Sequence, residues 1–214
     1  MARVPEPLSA GRGVVRRAWS LVLCAGLVLL PSGATAAPGA DRLRIVSATG
    51  AGPGCRQGAY LASVSEDAQA FLILYDDFRA EVPSGGRYGD FTNCSLLLNV
   101  DVPERMSYSL TKVVHEGSGR MTRHARIALM SNVFFVGQAQ PVPTVNDRLV
   151  ADDDKHHGFL SVEEIGAPQW SECGRDSLLR VFSGLRAEAP AGGRAEAYFG
   201  GTTSETLHFR TRSC

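Results

Sequence analysis

From about residue 94 onward the apolar side chains recur at every second position, and this period constrains the fold more than any other feature of the chain. Cys94, Leu96, Leu98, Val100 and Val102 alternate with Ser95, Asn99 and Asp101, as in a strand with one face on a core. Met106, Tyr108, Leu110 and Val114 alternate with Ser107, Ser109 and Thr111, while Ala125, Ile127, Leu129, Val133 and Phe135 share one face of a long strand. Leu179, Val181 and Leu185, then Leu207 and Phe209 against His208 and Arg210, carry the pattern to the end. Phe71 to Tyr75 is apolar without a break, which predicts a central strand buried on both faces. Turn signals separate the runs at Pro83-Ser84-Gly85-Gly86, Gly117-Ser118-Gly119, Pro141-Val142-Pro143, Ala191-Gly192-Gly193 and Gly200-Gly201. With no convincing helical stretch, the expectation is an all-β protein built as a single antiparallel β-sandwich domain.

Upstream of that pattern, residues 1–36 have the form of an export signal. A basic segment ends in Arg16-Arg17, an apolar run extends from Ala18 to Leu30, and Ala34-Thr35-Ala36 offers a small-residue cleavage site. The apolar run is too short to span a bilayer. Residues 37–53, rich in Gly, Ala and Pro around Leu43-Arg44-Ile45-Val46, read as an N-terminal tether with one edge strand. The sandwich domain then runs over 54–214, and the expected location is extracellular.

Removing the leader changes two counts. The full chain has 22 Lys+Arg against 22 Asp+Glu; the leader holds four Arg and one Glu, so the remainder carries 18 bases against 21 acids. A mildly acidic secreted domain argues against nucleic acid as a partner and against stable membrane insertion. The leader also takes Cys24, so five cysteines become four: Cys55, Cys94, Cys173 and Cys214. An even number in an exported chain predicts two disulfides. Three pairings are open; the sequential one would close two loops of about 40 residues, stabilising by roughly 4 kcal/mol each in the chain-entropy model.

Residues with chemical potential are scattered. Asp152, Asp153, Asp154, Lys155, His156 and His157 are consecutive, and Asp152, Asp154, His156 and His157 are the candidate metal ligands, through oxygen or nitrogen. Against that, the spacing matches no established motif and suits a solvated loop. Asp76-Asp77 closes the buried strand, but adjacent strand residues point to opposite faces. There is no nucleophile elbow and no phosphate-cradling loop, and nothing calls for a cofactor. Trp170 lies three residues before Cys173, the setting of a core tryptophan. Arg120, Arg123, His124 and Arg126 make a basic patch that reads as a solvated face.

Several short segments, in order, resemble a secreted four-cysteine family known as domain of unknown function 4360. They are Gly54-Cys55, Leu74-Tyr75-Asp76-Asp77-Phe78, Asn93-Cys94-Ser95-Leu96, Trp170-Ser171-Glu172-Cys173-Gly174 and the terminal Cys214. The resemblance implies a secreted sandwich-like domain and the pairing of Cys55 with Cys94 and of Cys173 with Cys214. It implies no activity, substrate or catalytic residue.

The leading functional expectation is a monomeric, non-catalytic extracellular binding module for a cell-wall glycan or other surface ligand, using loops at one end of the sandwich. One alternative is a secreted hydrolase whose acid and base come from separate strands, with Asp77, His115 or the Asp154–His157 segment taking part. Another is an extracellular effector, membrane-active factor or inhibitor with a protein partner, which an exposed apolar patch would favour.

Overall fold

Period-two patterning produces two antiparallel sheets that bury their apolar faces against each other. The structure, a computed structural model, describes residues 41–86, 88–138, 145–199 and 204–214. The expected export signal with Cys24, and the expected turns at Pro141–Pro143 and Gly200-Gly201, lie outside the described residues. Among those described there are twelve strands and no helix: β1 Arg44–Ala51, β2 Tyr60–Val64, β3 Ala70–Tyr75, β4 Arg79–Val82, β5 Gly89–Asp101 and β6 Met106–Met121 in the first half. The second half holds β7 Arg126–Phe135, β8 Val145–Val150, β9 His156–Glu164, β10 Ser177–Glu188, β11 Ala195–Phe199 and β12 Glu205–Ser213. One sheet has the order β1-β5-β10-β7-β8; the other runs β2-β3-β12-β6-β11-β4, with β9 on β6. The edge strand β1 forms within the Gly/Ala/Pro-rich stretch 37–53 and pairs with β5.

The inward faces follow the alternation. Leu96, Leu98 and Val100 of β5, Leu179, Val181 and Leu185 of β10, and Ile127, Leu129 and Val133 of β7 are buried from one sheet. Phe71 and Ile73 of β3, Leu207 and Phe209 of β12, and Tyr108 and Leu110 of β6 meet them from the other. Each fully buried Leu or Phe contributes on the order of 1.5–3 kcal/mol. Aromatic rings pack together between the sheets: Phe71 lies 4.6 Å from Phe209, and Tyr108 5.2 Å from Phe135. At the other end Phe78 lies 4.9 Å from Tyr75 and 4.7 Å from Phe199.

Both disulfides form in the pairing that the resemblance implies. Cys55–Cys94 is buried, with Cα atoms 5.3 Å apart, and Cys173–Cys214 is exposed, with Cα atoms 6.2 Å apart. Gly54 beside the first bridge donates its N–H to the Asn93 carbonyl at 2.9 Å. A Cβ at Gly54 would come within 2.4 Å of the Phe78 ring, so three of the segments carrying the resemblance meet at one point. The second bridge holds the end of β12, where the Cys214 N–H also bonds the Arg105 carbonyl at 2.9 Å.

Three local expectations differ from what forms. Gly117-Ser118-Gly119 is not a turn but lies inside β6, a 16-residue strand. Those glycines are where neighbours come too close for a side chain: a Cβ at Gly117 would sit 2.1 Å from Phe159, and one at Gly119 2.2 Å from the Glu196 carbonyl. Val114 does not share a face with Tyr108 and Leu110. The register of β6 with β12 shifts between the Leu110–Phe209 and Lys112–His208 pairs, so Thr111 is the extra residue of a bulge. One inserted residue reverses the inside–outside order, and Val113 and His115 point inward instead. Finally, β3 has only one fully buried face, since Leu72 and Leu74 are half-buried.

Candidate functional site

Five polar side chains occupy inward positions on five strands and meet in the core. Glu205 has the parity of Leu207 and Phe209, His115 that of Val113, and Tyr75 that of Phe71 and Ile73; all three come from the larger sheet. Ser131 sits between Leu129 and Val133, and Ser183 between Val181 and Leu185, on the facing sheet. Glu205 is the hub. Its Oε1 lies 2.9 Å from His115 Nε2 and accepts from Ser131 Oγ at 3.4 Å. Its Oε2 accepts from Ser183 Oγ at 2.8 Å and from the Tyr75 hydroxyl at 3.0 Å. Glu205 and His115 are both 0% exposed.

Burial first, and the neighbouring Glu205 charge second, push the Tyr75 hydroxyl well above the ordinary tyrosine range. His115 Nδ1 has no hydrogen-bond partner among the described residues, and its ring stacks on Phe199 at 6.1 Å. The cluster joins the two sheets through one carboxylate. Its side chains are buried, and buried polar networks of this kind rigidify the core that holds them.

The Asp152–His157 segment sits at the surface, leading into β9, and its side chains turn to different neighbours. Asp153 pairs with Lys155 at 2.5 Å and lies 3.1 Å from His157 Nε2. Asp154 accepts the Arg123 backbone N–H at 2.6 Å, and His156 Nε2 lies 3.2 Å from the Tyr198 hydroxyl. Among the described residues no group of three or more His, Cys, Asp and Glu side chains is placed to hold a metal ion. The four candidate ligands Asp152, Asp154, His156 and His157 are thus not gathered into one ligand set.

The residues of the hydrolase alternative are brought together only in part: Tyr198 borders the hollow of Asp77 and contacts His156, whereas His115 is apart in the core. Asp76 and Asp77 are exposed beside a shallow hollow of about 210 Å³ that Glu196 and Tyr198 also line. His115 is in the core on Glu205, and the Asp154–His157 segment is held by Arg123 and Tyr198. Trp170 is not a core residue either: it is half-buried, with the Arg212 guanidinium 4.0 Å and that of Arg210 5.2 Å from its ring.

The outer face of the five-stranded sheet offers the broader surface. Outward parity puts Phe91 and Leu97 on β5, Leu178 and Phe182 on β10, and Phe134 on β7. Phe91 is 42% exposed and Leu178 42%. Phe91 lies across Gly184, where a Cβ would come within 3.0 Å of its ring. Arg180 is set over Phe134 at 5.6 Å, and its Nε donates to Ser95 Oγ at 2.9 Å. Further along β7 the face dips into a hollow of about 900 Å³, bordered by Arg126, Arg148, Arg186, Met130 and Glu188. The basic patch read from the sequence is divided: Arg126 belongs to this face, whereas Arg120 lies on β6 of the other sheet.

Of Tyr60, Tyr88 and Tyr198, which lie near turns, only Tyr88 is freely exposed, at 68%. Tyr60 accepts the Gly50 N–H at 2.7 Å and ties β2 to β1. The residues that sequence reasoning missed are Glu205, Ser131 and Ser183 in the core and the three outward phenylalanines. Parity marks all of them, as polar residues on an inward register or aromatic ones on an outward register.

Comparison with known proteins extends this picture. An uncharacterised secreted protein from Arthroderma benhamiae is 25% identical over 154 residues, covering 72% of this chain and 62% of that protein. The chain therefore spans less than two thirds of that relative's length. Among solved structures, a family 16 carbohydrate-binding module aligns over 70% of this chain and 88% of its own, at 12% identity and a TM-score of 0.30. The enzymatically active domain of a bacteriophage CBA120 tailspike protein aligns over 76% of this chain and 19% of its own, at 11% identity and a TM-score of 0.29. A secreted relative and two disulfides identify a secreted protein. The family model described as domain of unknown function (DUF4360) matches residues 41–214, and the chain belongs to that family.

Proposed function

We propose that this protein is a non-catalytic extracellular binding module whose ligand lies along the outer face of the five-stranded sheet. The observation that carries this reading is the set of outward aromatic side chains, Phe91, Phe134 and Phe182, on three adjacent strands. Strands are spaced about 4.8 Å apart and do not move independently, so the rings form a rigid but discontinuous platform, with Phe182 offset two register positions from Phe134 and four from Phe91. Sugar rings and extended chains stack on such platforms at small entropic cost. The ligand surface is therefore the sheet face and not the loops at one end of the sandwich.

The test is a pull-down of the secreted protein on insoluble cell-wall polysaccharides, paired with a glycan array, for the wild type and for Phe91→Ala and Phe182→Ala. Binding should be present in the wild type and fall in both variants, with melting temperatures close to that of the parent. Absence of binding to every polysaccharide would remove the reading.

A protein partner is the second reading, favoured by the exposure of Leu97, Leu178 and Val136 next to the same rings. It predicts capture of a protein from the extracellular fluid, sensitive to Leu178→Asp and indifferent to added polysaccharide.

A further inference from the structure

We infer that the hollow over Ala128 is a subsite for the carboxylate or sulfate of an acidic sugar residue, so that the ligand of the sheet face is an anionic polysaccharide. This rests on the glycan-binding reading above and adds the ligand's charge. Antiparallel register sets four side chains in a row across four strands: Phe91 on β5 faces Arg186 on β10, Arg186 faces Ala128 on β7, and Ala128 faces Arg148 on β8. Arg186 and Arg148 therefore stand two strand spacings apart, about 9.5 Å at the backbone, on either side of a methyl group. The short Ala128 side chain makes the floor and the two longer side chains make the walls. One step along β7, Arg126 closes a third side.

Three guanidinium groups and two carboxylates, Glu188 and Asp147, line this hollow, and Asp147 Oδ1 accepts the Arg148 backbone N–H at 2.8 Å, so the charges are unequally matched. The Nε of Arg186 is held by Glu188 Oε1 at 2.7 Å. Arg126 and Arg148 are exposed, and their guanidinium groups have no acceptor among the described residues. Two free planar guanidinium forks around a small floor suit a carboxylate or sulfate, which they contact through paired N–H donors. The mildly acidic charge of the whole domain does not oppose this, since at physiological ionic strength charges beyond about 8 Å are largely screened.

A repeating acidic sugar also fits the row's other end. With its anionic group between the arginines, the neighbouring ring extends along the row toward Phe91, which is 42% exposed. The volume of about 900 Å³ accommodates a sugar residue and its substituent.

The experiment measures binding of the mature protein to polygalacturonate, dextran sulfate, neutral dextran and single-stranded DNA, at low and at physiological salt. The variants are Arg126→Gln, Arg148→Gln and Phe91→Ala. Binding to at least one anionic polysaccharide should exceed that to neutral dextran by about tenfold or more, and each Arg variant should lose roughly tenfold, the size expected for one charge-assisted contact. The carboxylated and sulfated polymers then distinguish the two anionic groups. Equal binding to neutral dextran, or anionic binding unchanged in both Arg variants, would overturn the subsite. Neutral binding that depends on Phe91 would do so while leaving the platform reading intact. Equal affinity for DNA would reduce the hollow to a general polyanion contact and overturn its assignment to sugar. No binding to any polymer would sink both.

Discussion

The cluster around Glu205 and the segment Asp152–His157 contain the same kinds of side chain in opposite surroundings. In the core, one carboxylate faces an imidazole and accepts from three hydroxyls contributed by both sheets. At the surface, three carboxylates, one ammonium and two imidazoles follow one another, and those from Asp153 to His157 each find a nearby neighbour while water reaches most of them. Charge density is higher in the second region, but dependence on geometry is greater in the first. A buried donor that loses its acceptor has no water to replace it, whereas an exposed ion pair exchanges one solvated state for another.

Removing the hub is therefore the largest expected effect. Glu205→Ala strands the Tyr75, Ser131, Ser183 and His115 polar groups together and should cost about 3–5 kcal/mol in urea unfolding at pH 7. Glu205→Gln, which keeps an acceptor oxygen, should cost clearly less. A loss below about 1 kcal/mol for Glu205→Ala, the scale of an exposed ion pair, would break the comparison between the two regions.

A smaller effect is expected for Tyr75→Phe, which keeps the ring packing against Phe78 and removes one donor to Glu205; the loss should be about 1–2 kcal/mol. The same residue sharpens the comparison through pH. Burial raises Tyr75, as it raises Tyr108, far above the ordinary tyrosine value of 10.0. Above that value the unfolded chain releases those protons while the folded chain keeps them, so folding stability is intact below about pH 10 and falls as pH rises further. The slope of unfolding free energy between pH 9.5 and 11 should be flatter in Tyr75→Phe/Tyr108→Phe than in the wild type; identical slopes would contradict the burial of these hydroxyls.

The smallest effect belongs to the surface segment. The hydrogen bond from Lys155, ahead of the charge of that lysine and of His157, holds the Asp153 carboxyl below its ordinary value of 3.8. Its contribution is thus present above about pH 4 and lost on acidification. Because the group is solvated, Asp153→Asn should leave the melting temperature at pH 7 unchanged within error. A marked drop would mean that the segment is as integrated as the core cluster.

Much of the fold was legible because a strand's side chains alternate by geometry. Leu96, Leu98 and Val100, or Ile127, Leu129 and Val133, declare an inward face without reference to anything distant. The same logic failed at Thr111, where a bulge reversed the order, and at Gly117 and Gly119, whose small size serves the close approach of Phe159 and of the Glu196 carbonyl. The charged segment 152–157 drew notice because its residues are adjacent in the chain. Glu205 did not, and His115 did so only as a hydrolase candidate, because Glu205 lies 90 positions from His115 and 130 from Tyr75 and the three meet only when β3, β6 and β12 pair. The outward phenylalanines were hidden for the same reason: each belongs to a different strand.

Local rules were enough to determine a secreted chain of alternating strands with two disulfides. Parity, small-residue turns and cysteine number act over a few residues or through simple counting, so they survive in one dimension. Tertiary structure alone decided which polar groups meet across the sandwich, and that Phe91, Arg186, Ala128 and Arg148 stand in one row. Strand order and register set those neighbours, through hydrogen bonds between segments far apart in sequence, and a shift of one residue would send each side chain to the other face.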